Sequence, residues 1–488
     1  MAEWCADHLR DCIAWKNEGL ELSTTNNEAA KLYDGAIRQV VSWMNCERLG
    51  GIERTIHGIL EADPDMIMGR VLALGLDSLG TGKSIRLSEK FRSKMLKLVY
   101  DADRFGNSRE KKHAKAVNYF ANGDMLSACV EWEKILAEHP TDLMALKFAH
   151  DGYFFLGKCY DKRDSVDRVI NKWDPNLPCY SYLHGMYAFG LEECGEYEKS
   201  EKHARKGLEL QPKDCWSTHA VAHCMEMTGR FREGIQFMES TIGDWEPCFM
   251  LACHNFWHNT LFYIEEGDYE SAMSIYDREI GRRSKAGHML DIVDAASLLV
   301  RLELEGVDVG GRWRELVPVV SPHMDDHCLA FNDAHISMVL ARYDEDNLSE
   351  KHLNSIGSFI TTGSGDQRRL LRDIGGDICL AVNDFNRGQY SSCFNKLYPI
   401  RNQIFQIGGS HAQRDVFTQL LINSAIRSDN PEIHQKTLPL IEERNQLKQN
   451  SPLAARLAAH QKGSWTEALP TSITSTSFDS LPKPWSKI

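Results

Sequence analysis

One phrase recurs along the middle of this chain and constrains its fold more than any other feature. It consists of a glycine, one residue, a large apolar residue, then a small residue three further on. It reads GDMLSA at Gly123, GEYEKS at Gly195, GRFREG at Gly229 and GDYESA at Gly267, with a weaker copy at Gly157. Successive glycines are 34, 38, 34 and 38 residues apart. A second phrase keeps step with it: LAEHPTD at Pro140, KWDPN at Pro175, LELQPKD at Pro212 and DWEPC at Pro247, spaced by 35, 37 and 35 residues, with an earlier LEADPD at Pro64. Proline cannot continue a helix, so each marks a break. Asp142 and Asp214, just after two of these breaks, can cap the next helix by accepting its orphan N–H groups. The glycines suit the tight turn between paired helices, and Ala128 and Ala272 are small where two helices must approach.

This is the grammar of a tetratricopeptide repeat: two antiparallel helices in about 34 residues, with neighbours stacking to bury a shared core. The best copy runs from 109 to 142, with Ala116, Tyr119, Gly123, Ala128, Trp132, Leu136 and Pro140 at repeat spacing. The expected fold is therefore all-α, an α-solenoid of tetratricopeptide-like helix pairs. A helical N-terminal region with degenerate repeats covers 1–108, the central array 109–345 and degenerate C-terminal repeats 346–462. A Ser/Thr/Pro-rich tail covers 463–488. DAASLLVRLELEG (294–306) reads as a first helix, and 381–400 as a degenerate pair around Gly388. Thr25 and Glu28 have capping-box spacing, and the glycine-rich stretch 360–377 reads as a loop.

Composition narrows the function classes. The 488 residues carry 42% hydrophobic and 26% charged side chains, ordinary globular values, and a net charge of -13. A phosphate backbone needs a basic surface, so nucleic acid is not expected as a partner. No apolar run reaches the roughly 18 residues of a membrane span, and the N-terminus MAEWCADHLRDC lacks an apolar signal core, so a cytoplasmic chain with no membrane partner is expected. The 14 cysteines are scattered without a C-x-x-C pair and read as free thiols. DSLGTGKS (77–84) imitates a phosphate-binding loop, but Asp77 stands where the first glycine belongs and a helix-like segment replaces the required strand.

The residues most suggestive of a site lie on first helices of consecutive repeats. CWSTHAVAHCMEM (215–227) sets His219, His223 and Glu226 on one face, by i, i+4 and i+7 spacing. Trp216 shares that face, while Val221, Ala222 and Met225 fall where repeats pack. One repeat on, CHNFWH adds His254, Trp257 and His258. Neighbouring first helices contribute Lys147, His150 and Asp151, then Tyr182 and His184, then Asp294 and Arg301, then Asp333 and His335. In an open solenoid this face lines the concave groove, the usual binding surface. Its histidines either serve packing, hydrogen-bonded within a wet groove, or form a site. The leading functional reading is recognition of a peptide, protein partner or small ligand, with Lys147 or Arg301 pairing a carboxylate. No cofactor is required for that. The alternative is an enzyme in the groove, using His219, His223, His254 and His258 for zinc or another divalent metal and Glu226 or Asp151 as ligand or base. Neither H-x-x-x-H pair contains the glutamate of H-E-x-x-H. Oligomeric state is left open by the sequence.

Several segments together resemble the tetratricopeptide repeat protein 38 family: LSTTNNEAAKLYDGAIRQ, ALKFAHDGYFFLG, HAVAHCMEMTGRF with HNFWHNTLFYIEEGDYESAMSIYD, and DAASLLVRLELEGVDVGGRW. The resemblance covers most of the chain. It implies a cytoplasmic, all-helical repeat protein of undefined biochemical role and supplies no catalytic residues.

Overall fold

A computed structural model describes residues 2–343 and 347–461. The expected 463–488 tail and the 345/346 boundary lie outside the described residues. Every regular element among the described residues is helical, and the helices run as antiparallel pairs, as the repeat grammar predicts. The central pairs are Ser108–Ala121 with Met125–Glu138, Leu143–Phe155 with Cys159–Ile170, Tyr180–Glu192 with Tyr197–Leu210, Cys215–Met227 with Phe231–Ser240, and Leu251–Glu266 with Tyr269–Ile275. The array continues through Met289–Leu304, Ala330–Arg342 and Gly376–Asn386 to His411–Arg427, Thr437–Leu447 and Pro452–Gln461. No helix among the described residues is long and apolar enough to cross a membrane.

The local signals act as read. Asp142 accepts from the Ala145 N–H, and Asp214 from the Trp216 and Ser217 N–H groups, so each caps its helix. The turn glycines 123, 157, 195, 229 and 267 all have positive φ. Ala128 and Ala272 are fully buried between helices. Two local expectations need correction. The cap of the Asn27–Ser42 helix is Asn26, whose side chain accepts from the Ala29 N–H, rather than Thr25. The glycine-rich 360–377 stretch is helical except at Gly363 and Ser364. Its Gly375 lets the helix lie against Ala330, where an added Cβ would come within 2.8 Å of the alanine's own. The phosphate-loop mimic is a helix end and turn, in which Lys83 pairs with Asp77 at 2.6 Å.

From Leu143–Phe155 to Leu251–Glu266 the first helices form the inner layer and are buried on most of their surface. Every residue of Cys215–Met227 except Trp216 is buried, as is all of Leu251–Glu266 except Tyr263 and Glu266. The inner face is not an open groove because the chain's own ends cover it. From the C-terminal side, Arg301 donates to the Ala412 carbonyl at 2.6 Å, Lys448 pairs with Glu226 at 3.0 Å, and Arg456 pairs with Glu305 at 2.6 Å. Two turn glycines are where this cover touches the array. A Cβ on Gly157 would meet the Phe405 carbonyl oxygen at 1.9 Å, and one on Gly229 the Gln449 carbonyl oxygen at 2.3 Å. From the N-terminal side, Trp43 stacks on Trp216 with ring centres 5.9 Å apart, and Trp4 stacks on Tyr182 at 5.8 Å.

Candidate metal centre

The two inner helices Cys215–Met227 and Leu251–Glu266 run side by side, each with two histidines one turn apart facing the other. His219 and His223 thereby meet His254 and His258. Ring centres are 4.4 Å apart for His219 and His223, 4.3 Å for His223 and His258, 4.8 Å for His254 and His258, and 4.9 Å for His219 and His254. One nitrogen from each ring lies within 4.8 Å of the other three. All four side chains are buried.

Carboxylates hold two of the rings from behind, and the Glu192 carboxyl stands near a third without a hydrogen bond. His254 Nδ1 lies 2.7 Å from Asp294 Oδ2, His258 Nδ1 lies 3.2 Å from Glu226 Oε2, and His223 Nδ1 lies 3.5 Å from Glu192 Oε2. An Nδ1–H donated to a carboxylate leaves the Nε2 lone pair free toward the centre of the cluster, the usual outer-layer arrangement behind a metal-ligating histidine. Inside the cluster, His223 Nε2 and His219 Nε2 are 3.0 Å apart, and His258 Nε2 has no hydrogen-bond partner. His219 lacks a carboxylate, and its Nδ1 is also unpartnered. An unpaired buried imidazole nitrogen is costly unless something accepts or supplies its bond.

The electrostatics keep three of the rings neutral. Burial lowers the pKa of His223 and His258 to about 3 each, with the other histidines adding to the effect, and pushes His219 well below its usual range. Neutral imidazole is the ligating form. The carboxyls behind differ in their surroundings. Burial opposes ionisation of Glu226, yet Lys448 and His258 hold it well below the usual carboxylate range. Glu192 is different: burial and neighbouring Glu193 push it well above that range, and both its oxygens are unpartnered.

The other expected contacts sit elsewhere and are already engaged. Lys147, expected to offer its charge to a ligand, is buried and pairs with Asp151 at 2.5 Å, with its ammonium over Trp43 and Trp216. His150 Nε2 lies 3.1 Å from the Met186 carbonyl, and burial lowers its pKa to about 4. Tyr182 is buried beneath Trp4, and His184 leans on His203. Arg301 is buried and paired with Asp415 at 3.4 Å, so it too is closed to a ligand carboxylate. Asp333 accepts from His327 at 2.9 Å, and His335 Nδ1 lies 2.8 Å from the Phe331 carbonyl. Trp257 stacks flat on His254 at 5.1 Å and is wholly buried. The expected groove contacts therefore lie in a filled interior, because Trp4 and Trp43 from the N-terminal side and residues 411–461 from the C-terminal side occupy the space a partner would need.

Sequence reasoning missed Glu192, Glu265, Asp415, Arg444 and Lys448. Glu192 had a signal: it precedes Gly195 by three residues, just as Glu226 precedes Gly229. Each of these glutamates ends one inner helix and faces a histidine on the next. Lys448 had none, since it reaches Glu226 from 222 residues away.

No family model matches the chain. Among solved structures it is similar to the crystal structure of the APC/C hetero-tetramer Cut9-Hcn1, at 12% identity and a TM-score of 0.37, over 89% of this chain and 84% of that one.

Proposed function

We propose that this chain is a helical-repeat protein that holds one divalent first-row transition metal ion, zinc by preference, on His219, His223, His254 and His258, as a structural centre in its interior. One observation carries the reading: four buried imidazoles converge, and two of them, His254 and His258, lean on carboxylates that aim them inward. Tetrahedral zinc with bonds of about 2.0–2.1 Å places its ligand nitrogens roughly 3.4 Å apart, so the rings would draw in by about an ångström. Four imidazoles fill that coordination and leave no open position for water, which favours a structural over a catalytic role. The absence of thiolate among these four ligands argues against cuprous ion. Tetratricopeptide-type arrays also suit protein partners. With the inner face covered, such partners would meet the outer helices. This reading accommodates the resemblance to the tetratricopeptide repeat protein 38 family.

The test is metal content by mass spectrometry on purified full-length protein, with thermal melting before and after chelation. The expected result is close to one ion per chain, a melting point lowered by chelator and restored by zinc, and loss of both effects in His254→Ala/His258→Ala. Protein that purifies without metal, and whose melting point is indifferent to added zinc, overturns the proposal.

A further inference from the structure

Two half-buried thiols that the metal reading does not use face each other across the Leu143–Phe155/Cys159–Ile170 and Tyr180–Glu192 repeats. Cys159 is the first residue of the Cys159–Ile170 helix, and Cys194 follows the end of Tyr180–Glu192. These helices are antiparallel and unusually close at Gly190, where an added Cβ would come within 2.7 Å of the Arg163 Cα. One helical turn from that point, four residues on in one helix and four back in the other, stand Cys194 and Cys159. At that register the two thiols stand close enough for each to shift the other's ionisation. A second bridge, Arg163 to Glu196 at 2.8 Å, fixes the same register.

We propose that Cys159 and Cys194 form a peroxide-reactive dithiol, with Cys159 as the attacking thiolate and Cys194 as the resolving thiol. The two sulfurs are not equivalent. The neighbouring Cys194 thiol lowers the Cys159 pKa to about 6, outweighing burial and Glu193, with buried Lys162 and the Tyr160 backbone amide assisting. Cys194 is pushed up in exchange. A thiolate at a helix N-terminus beside a lysine is the reactive kind, whereas thiols raised by burial are inert. Cys5, Cys129, Cys179, Cys215, Cys253 and Cys379 are all buried and raised. The chemistry balances with a hydroperoxide as oxidant. The Cys159 sulfur attacks one peroxide oxygen, the O–O bond breaks, and the leaving hydroxide becomes water, giving a sulfenic acid. The Cys194 sulfur then attacks the Cys159 sulfur, an S–S bond forms, and the sulfenic oxygen leaves as a second water with the Cys194 proton. Two thiols are oxidised and one hydrogen peroxide is reduced.

The experiment treats native full-length protein with a few equivalents of hydrogen peroxide, alkylates it under denaturing conditions and maps the peptides. The expected product is a Cys159–Cys194 linked peptide pair two hydrogens lighter than the separate peptides, with the buried cysteines still alkylated. In Cys194→Ser, Cys159 should stall as a sulfenic acid trapped by a dimedone probe. In Cys159→Ser, Cys194 should stay reduced. Oxidation spread evenly over many cysteines, or a Cys159 no faster than the buried thiols, overturns the proposal, and circular dichroism of each variant separates loss of chemistry from loss of fold. None of these readouts depends on metal at the histidines.

Discussion

Replacing Lys448 with methionine tests whether the C-terminal cover is held by buried charge. Its ammonium lies 3.0 Å from Glu226 and 2.9 Å from Glu265, and side-chain exposures are 7%, 1% and 5%. The surroundings form one network: Glu226, Glu265 and Asp415 against Lys448, Arg444 and Arg301. Three anions face three cations, so this network is neutral as built. Burial opposes ionisation of Asp415, yet Arg444 and Arg301 hold it well below the usual carboxylate range. Methionine keeps most of the volume and removes the charge, leaving Glu226 without its lysine partner and Glu265 with Arg444 alone at 3.6 Å, which also serves Asp415. Breaking a buried pair from one side costs about 3–5 kcal/mol, because the remaining charge stays desolvated and unpaired. Urea unfolding of K448M followed by tryptophan fluorescence should show a loss of that order. Limited proteolysis should cut between 428 and 461 sooner than in the parent. Adding Glu226→Gln and Glu265→Gln should recover part of the loss, since uncharged partners no longer need the cation. A loss below about 1 kcal/mol, with an unchanged proteolysis pattern, would show that packing alone closes the array.

Three further outcomes follow from the geometry. Glu226→Gln keeps an acceptor for His258 but loses the charge behind it, and should weaken zinc binding about 10–100-fold in a competition titration; unchanged affinity would detach Glu226 from the site. Gly229→Ala combines positive φ with a clash at the Gln449 carbonyl oxygen and should cost at least about 1 kcal/mol, seen as a lowered urea midpoint, whereas a neutral result would mean the cover does not rest there. Burial lowers His335 to about 4, while the unfolded chain's histidine titrates near 6.5, so the unfolded state takes up the proton first as pH falls. Stability from this residue is therefore intact above about pH 7 and declines between 6.5 and 4 by about 1.4 kcal/mol per pH unit. His335→Gln should flatten that decline in denaturant titrations at pH 7 and pH 5, and parallel profiles for the two proteins would refute it.

The sequence alone determined the helices, their pairing and the face each histidine shares. Those properties are local: proline breaks, Asp142 and Asp214 as caps, glycines at positive φ, and a repeat length that stacks His219 and His223 beside His254 and His258. Even the carboxylates Asp294 and Glu226 lie one repeat from the rings they support, and repeat register would have revealed Glu192 as well. Tertiary structure decided whether that face meets solvent or protein. An open solenoid and a self-filled one share the same repeat grammar, and the difference rests on contacts such as Lys448 to Glu226, Arg444 to Asp415 and Trp43 to Trp216. These join residues 29 to 222 positions apart that carry no periodic signal. Burial then changed what the residues are: Lys147 and Arg301 became internal ion pairs, and His219, His223 and His258 became neutral imidazoles. Hydration and dielectric belong to the assembled interior, and no stretch of chain possesses them before the ends fold over it.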